Sequence, residues 1–306
     1  MSVPKIVFLV GPTAVGKTRL AVKLAKRLKA EIISCDSMQV YKGMPILSQA
    51  PPQAVRNKAP HHLIGTISPS KEYNAARFRV EALRAMRRIL KMGAVPIFVG
   101  GSGLYIKALI DGLFPAPKAD SKFRARMQNI ISRFDKRVAL HERLSKIDPE
   151  AAKRIHPNDS RRVIRALEIF HSTGRTFTEL KASTRGLKDE FEIMIIGLTR
   201  PREELYKRID ARVDEMLKAG LVNEVKGLMK ARVSRTARAV LGFEEIASFL
   251  KGGHTQDEAI ELLKKNTRNF AKAQATWFNA DARIRWFDLS KTKDEEIVNF
   301  IWKRLY

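Results

Sequence analysis

Lys5-Ile6-Val7-Phe8-Leu9-Val10-Gly11-Pro12-Thr13-Ala14-Val15-Gly16-Lys17-Thr18 decides the fold. A short apolar run rich in β-branched residues, Ile6 to Val10, reads as a buried strand. It runs into Gly11-x-x-x-x-Gly16-Lys17-Thr18, the P-loop spacing. Behind it Leu20, Leu24 and Leu28 recur four apart, the period of a helix with one apolar face. Strand, glycine loop and helix are the context in which this motif cradles phosphates. Gly11 and Gly16 let Pro12, Thr13, Ala14 and Val15 curl so that backbone amides face one anion, and the helix N-terminus adds its positive end. Lys17 reaches the phosphate oxygens, and the Thr18 hydroxyl is placed for Mg²⁺. The motif points to a diphosphate or polyphosphate, not to a particular molecule.

Outward from this loop, Glu31 to Cys35 reads as a second strand ending at Asp36-Ser37-Met38-Gln39-Val40-Tyr41. Val95 to Val99 reads as a third, followed by Gly100-Gly101-Ser102-Gly103. Ligands of open α/β sheets bind beyond the carboxyl ends of strands, so the P-loop, Asp36 and the second glycine loop are expected on one edge. Residues 42–60, with four prolines, read as a loop, and His61-His62 as a weak strand whose side chains point to opposite faces, a poor metal pair. Val99 runs into Gly100 with no Asp, so Asp36 is the only carboxylate expected at a strand end near the P-loop, which disfavours a motor-type ATPase.

Residues 115–120 are loop-like, and from 121 to 174 the periodicity is helical with no strand. A helix entry is read at Pro157-Asn158-Asp159 and a stop at Gly174. A strand returns at residues 191–198, helices follow, and Thr255-x-x-Glu258 is a capping box opening a helix to about residue 278. On that helix Lys264, Arg268 and Lys272 form a basic stripe, and Trp277-Phe278 reads as core rather than as a stacking platform. A last strand is read at residues 284–289. The expected architecture is α/β: a P-loop core of mostly parallel sheet flanked by helices, residues 1–118 and 190–306, interrupted by an all-helical insertion at 119–189.

The 306 residues carry a formal charge of +26, distributed as +14 over 1–118, +7 over 119–190 and +5 over 191–306. A folded surface this basic suits a polyanion, most simply nucleic acid. A single cysteine, Cys35, excludes an internal disulfide or a cysteine metal cluster. The N-terminus shows no secretory pattern, since the apolar run after Lys5 is five residues and enters the P-loop, and no stretch approaches a membrane span, so a cytoplasmic location without membrane partner is expected.

Several strings together resemble one family, in its order and over nearly the whole chain. They are the P-loop, Ser34-Cys35-Asp36-Ser37-Met38-Gln39-Val40-Tyr41, Pro60-His61-His62-Leu63, Val99-Gly100-Gly101-Ser102-Gly103-Leu104-Tyr105, Arg154-Ile155-His156-Pro157-Asn158-Asp159 with Arg161 to Glu168, and Gln274-Ala275-Thr276-Trp277-Phe278. The family is that of the bacterial tRNA dimethylallyltransferases. The resemblance implies transfer of a dimethylallyl group from dimethylallyl diphosphate to N6 of the adenosine 3′-adjacent to the anticodon of tRNA. It further implies that the loop Gly11–Thr18 holds the diphosphate, that Lys17, Asp36 and Ser102 serve catalysis with Asp36 taking the N6 proton, and that Thr18 supports Mg²⁺. Asp36, Ser37, Met38, Gln39 and Ser102 would contact the extruded adenosine and nearby tRNA. Arg124, Arg161, Arg162, Val163, Ile164 and Arg165 would contact the anticodon stem-loop. Arg208, Arg212 and Arg238 remain alternatives for the diphosphate, and a monomer is expected. Two departures stand out: Ser102 where the family usually has Thr, and Pro45-Ile46-Leu47-Ser48-Gln49-Ala50-Pro51 where Gly-Thr-Ala-Lys-Pro is commoner. From the residues alone, a P-loop kinase using Asp36 on a hydroxyl, or a non-catalytic RNA-binding module, stays open.

Overall fold

In a computed structural model describing residues 5–114, 117, 119–134 and 136–306, six strands form one sheet in the order β3-β2-β4-β1-β5-β6. They are β1 (Lys5–Val10), β2 (Ala30–Cys35), β3 (His61–His62), β4 (Val95–Gly100), β5 (Glu192–Thr199) and β6 (Ile284–Asp288). Every pairing is parallel, beyond the mostly parallel sheet expected. The reason is visible in β1, β2 and β4: both faces are covered, so the strands are continuous apolar runs rather than alternating ones. Ile6 to Val10 are fully buried, and Phe8 stacks on Phe98 of β4 at 4.6 Å. The helix Lys17–Leu28 lays Leu20, Leu24 and Leu28 on the sheet, each side chain worth about 1.5–3 kcal/mol.

Register places the site. Val10 pairs with Gly100 on one side and Gly197 on the other, and Gly100 pairs with Cys35. Those four residues form one row across the sheet, so Gly11, Gly101 and Asp36 emerge side by side at its carboxyl edge. Gly11 has φ 143°, and a Cβ there would lie 2.6 Å from the Leu198 carbonyl oxygen on β5. The loop can therefore leave β1 only with glycine at this position.

The chain divides into two compact units, residues 1–110 with 190–306, and residues 111–189. The insert thus begins eight residues before the expected 119, at Asp111. Of the loop expected at 115–120, residues 115, 116 and 118 lie outside the described residues. The insert is helical throughout its described part: Ser121–Phe134, Arg137–Ile147, Pro149–Arg154, Ser160–Thr173 and Phe177–Ala182, with a 3₁₀ turn at Leu187–Asp189. Its core gathers Met127, Leu140, Leu144, Ala152, Val163, Ile164, Ala166 and Leu167. Asp159 caps the helix Ser160–Thr173 by accepting from the Arg162 amide, and Gly174 ends it at φ 67°, as the sequence suggests. Asp148 is buried and caps Pro149–Arg154, while also accepting from the Thr178 amide and hydroxyl.

On the helix Gln256–Asn279, Lys264 pairs with Asp214 at 2.9 Å and Arg268 with Asp210 at 2.6 Å, both acids on the helix Arg202–Lys218, while Lys272 is exposed. Three expectations are corrected. Phe278 is core at 3% exposure, but Trp277, one residue earlier on the helix, is 40% exposed. A strand-end acid does exist besides Asp36: Asp288 closes β6, but its carboxylate accepts from the Ser290 amide and hydroxyl in a local turn. The loop at 42–60 contains one short helix, Gln53–Arg56. The two histidines part company: His61 Nδ1 is 2.7 Å from the Ala59 carbonyl and His62 Nε2 is 2.6 Å from Glu31 Oε2.

Candidate active site

Lys17 opens the helix after the P-loop, and its ammonium donates to the Gly11 and Pro12 carbonyls at 2.8 and 2.7 Å. Burial pushes its pKa down to about 8, with nearby Asp36 opposing that and Arg212 adding to it. Such a cation is raised and stabilised by an arriving anion. Ala14 sits at φ 61° in mid-loop, a conformation a non-glycine residue rarely adopts, and the loop is held in it from outside. Arg208 donates through Nε to the Ala14 carbonyl at 2.9 Å, and Arg200 to the Val15 carbonyl at 3.0 Å. Arg200 also pairs with Glu204, but Lys17, Arg208 and Arg212 form no ion pair with a carboxylate among the described residues. Burial lowers the pKa of both Arg208 and Arg212; Arg200 and Arg19 lower that of Arg208 further, and Arg208 lowers that of Arg212, while Glu215 opposes the shift in both. Cations gathered around a glycine loop with no carboxylate in direct contact make an anion receptor. Of the three arginines left open by the sequence, Arg208 and Arg212 are here, while Arg238 lies 3.5 Å from Glu244 and over the Phe243 ring.

Thr18 is exposed on the first turn, with no hydrogen bond to its hydroxyl among the described residues. A hard cation takes oxygen donors, and Mg²⁺ usually combines one or two protein oxygens with substrate phosphates and water. Thr18 fits that pattern. No cluster of three or more His, Cys, Asp or Glu among the described residues would hold a metal by itself.

Beside the P-loop, Asp36 turns the chain after β2. Its Oδ1 accepts from the Met38 amide at 2.8 Å and the Gln39 amide at 3.4 Å, which fixes the carboxylate and leaves Oδ2 without a hydrogen bond among the described residues. Ser102 accepts from the Ser37 amide at 3.1 Å, and its own amide donates to the Cys35 carbonyl at 3.2 Å. The strings at 34–39 and 100–103 are thus one structure. Gln39 is held by the Ser34 hydroxyl at 2.9 Å, and its Nε2 donates to the Gln49 carbonyl at 3.3 Å.

The atypical loop at 45–51 is anchored by Glu224, whose carboxylate accepts from the Ile46 and Leu47 amides at 3.1 and 2.7 Å. Burial raises the Glu224 pKa, and these two bonds offset part of the rise. The loop presents Gln49 at φ 54°; its carbonyl also accepts from Arg212 at 3.2 Å and its Oε1 from the Thr13 hydroxyl at 3.3 Å. Sequence reasoning missed Glu224, Arg200 and the placement of Gln49. Nothing local marks Glu224 or Gln49, but Arg200 directly follows a strand end, the position that served for Asp36.

In the insert, the expected RNA-contact residues separate. Arg124 forks onto Glu168 with bonds of 2.9 and 2.8 Å, Arg165 reaches Glu168 at 2.5 Å and the Pro117 carbonyl at 3.1 Å, and the Asp120 amide donates to the same carboxylate at 2.6 Å. Glu168 is fully buried; burial would raise its pKa, but these bonds outweigh it and hold the carboxyl below the usual range. Arg162 leans on Asp159 at 3.3 Å, while Arg161 is exposed with no partner among the described residues. Val163 and Ile164 are 1% and 5% exposed in the insert's core, so the side-chain contact with RNA expected of them is not open. Their neighbours on the same helix take the surface because period 3.6 turns 163 and 164 inward.

Comparison with known proteins follows the same lines. Residues 39–281 match the IPP transferase family and residues 4–59 the isopentenyl transferase family. The chain is 44% identical over 301 residues to the tRNA dimethylallyltransferase of Halothermothrix orenii, covering 97% of this chain and 92% of that one. It is 44% identical over 299 residues to that of Carboxydothermus hydrogenoformans, covering 97% and 96%. The crystal structure of the tRNA isopentenylpyrophosphate transferase from Bacillus halodurans superposes with a TM-score of 0.73 at 41% identity, covering 98% of this chain and 96% of that one. A eukaryotic dimethylallyltransferase acting on tRNA gives 0.78 at 30% identity, covering 98% and 80%. With a matching family over most of its length, relatives above 40% identity and the same fold, this chain belongs to the tRNA dimethylallyltransferase (IPP transferase) family.

Proposed function

We propose that the protein transfers a dimethylallyl group from dimethylallyl diphosphate to N6 of A37 in tRNA, releasing diphosphate. The observation that carries this reading is the pairing, on one sheet edge, of a cationic P-loop whose lysine contacts only carbonyl oxygens with a carboxylate that keeps one oxygen free. An exocyclic amine is a weak nucleophile, so the reaction needs three things from the protein: alignment, a proton acceptor and charge to meet the leaving diphosphate. Lys17, Arg208 and Arg212 with the loop amides supply the last. The amine nitrogen bonds to the allylic carbon as the carbon–oxygen bond to diphosphate breaks. The N6 proton passes to Asp36 Oδ2, whose Oδ1 stays tied to the Met38 and Gln39 amides. Thr18 would hold Mg²⁺ with the diphosphate oxygens, and the ion would add positive charge at the leaving group.

The target base must leave its stack to reach this edge. Asp36, Ser37, Met38, Gln39 and Ser102 form the acceptor side, supported by the hydrogen bonds that join the two strings. Arg161 and Arg162 are the exposed cations of the insert's central helix and would meet stem-loop phosphates, a charge contact that reads no sequence. No helix of the described residues is long and apolar enough to cross a membrane. We place the enzyme in the cytoplasm, with its tRNA, as a monomer.

Incubating the protein with bulk tRNA and labelled dimethylallyl diphosphate, then digesting to nucleosides, tests the reading. Label in N6-dimethylallyladenosine supports it. ATP consumption with a phosphorylated product would install the kinase, and RNA binding indifferent to Lys17 and Asp36 would install the binding module.

A further inference from the structure

Gln274 is a polar residue on a buried stripe. The helix Gln256–Asn279 turns Leu263, Thr267, Ala271, Gln274 and Phe278 inward, and Gln274 is 7% exposed. Both ends of its carboxamide are used. Oε1 accepts from the Thr13 amide of the P-loop at 2.8 Å, and Nε2 donates to the Gly101 carbonyl at 3.0 Å. One side chain therefore spans the loops that leave the adjacent strands β1 and β4. The approach is close enough to dictate the neighbouring residue: a Cβ on Gly101 would stand 2.2 Å from Gln274 Nε2. The Thr13 amide is one of the loop's few N–H groups, and Gln274 takes it away from any anion, which decides which amides remain for the diphosphate. Next to it lies Ala14 at φ 61°, a conformation that needs outside support.

We infer that Gln274 is a positioning residue that sets the P-loop against the second glycine loop, and so the prenyl donor against the adenosine. The inference rests on the transferase reading. The donor is held by the P-loop. The acceptor is held by Asp36, Ser37 and Ser102, and Ser102 follows Gly101 directly. Reacting atoms must come within about 3–3.5 Å in line, and an error near 1 Å costs on the order of 10² in rate. Neither loop has to lose its own ligand for that alignment to fail. A residue that only fills the core would affect stability and leave turnover at saturation alone.

The test uses Gln274→Met, which keeps volume and removes both bonds, and Gln274→Glu, which keeps the acceptor for Thr13 but turns an oxygen toward the Gly101 carbonyl. With both substrates saturating, kcat should fall about 10²-fold in Gln274→Met, while KM for dimethylallyl diphosphate and Kd for tRNA stay within about threefold. Gln274→Glu should lose kcat in the same pattern, and it remains informative if the methionine variant does not fold. Parental kcat in either folded variant overturns the inference. So does a loss in which kcat falls only in proportion to the folded fraction. A second readout needs no turnover and separates this idea from the transferase reading. Inorganic diphosphate should slow hydrogen exchange at residues 100–103 in the parent and leave it unchanged in Gln274→Met. Equal slowing in both would show that the loops are not coupled through this side chain, whatever reaction the protein performs.

Discussion

Arginine does two different jobs in the two units. In the α/β unit, Arg208 and Arg212 end on carbonyl oxygens of Ala14 and Gln49, neutral acceptors that orient a guanidinium and leave its charge unspent. In the insert, Arg124 and Arg165 end on the buried carboxylate of Glu168, which cancels charge and ties Asp120 and the helices Ser121–Phe134 and Ser160–Thr173 together. A count of basic residues treats these as equal. Their partners differ: the second pair is a fastening whose charge is cancelled in direct contact, while the first, bonded to neutral oxygens, keeps charge with which to attract an anion, as the proposed function requires.

The sharpest probe of this contrast is Asp36, the carboxylate that both Lys17 and Arg212 feel. Asp36→Asn keeps the Oδ1 acceptor for the Met38 and Gln39 amides but cannot take a proton, so kcat should drop about 10²–10⁴-fold with little change in tRNA affinity. Unchanged kcat with a raised KM for tRNA would make Asp36 a base-reading residue only. Next in size, Arg212→Ala removes a receptor cation. Loss of a charged hydrogen bond of about 1.5–3 kcal/mol should raise donor KM roughly tenfold to a hundredfold while the melting temperature hardly moves.

The insert should behave the other way round. Arg165→Ala leaves Glu168 buried with fewer donors and should cost about 1–3 kcal/mol of the insert's stability, read by denaturant titration, with donor KM unchanged. Arg161→Ala should leave stability alone and flatten the salt dependence of tRNA binding by up to about 0.7–0.9 in slope. A variant that loses stability at Arg161 or donor affinity at Arg165 would erase the distinction. The same fastening has a pH signature. The folded Glu168 pKa lies below its ordinary 4.5, so its contribution is present above that value and is lost as pH falls through the folded pKa.

The smallest effect expected is a titration at Lys17. With its pKa near 8 in the free protein and raised by bound diphosphate, the ammonium must regain a proton on binding above pH 8. Donor Kd should therefore weaken by up to about tenfold per pH unit from pH 8 to 9, and Lys17→Arg should flatten that limb. A Kd flat across this range in the parent would remove Lys17 from the receptor.

The P-loop, the strand before it, the glycine loop after β4 and Asp36 are local patterns, and the sequence by itself determined that they share a carboxyl edge, since a parallel α/β sheet leaves no other place for them. The caps at Asp159, Gly174 and Thr255 were legible for the same reason: a helix end is satisfied by residues a few positions away. What only the tertiary structure decided are partnerships across long separations. Gln274 meets Thr13 across 261 residues, Glu224 meets Leu47 across 177, and Lys264 and Arg268 meet acids on another helix. Val163 and Ile164 sit beside arginines in sequence yet face the insert's core, and Trp277 and Phe278 divide between surface and interior. Periodicity tells that a helix has two faces, but which element covers a face, and which carboxylate cancels a cation, depends on packing between segments that no local spacing encodes.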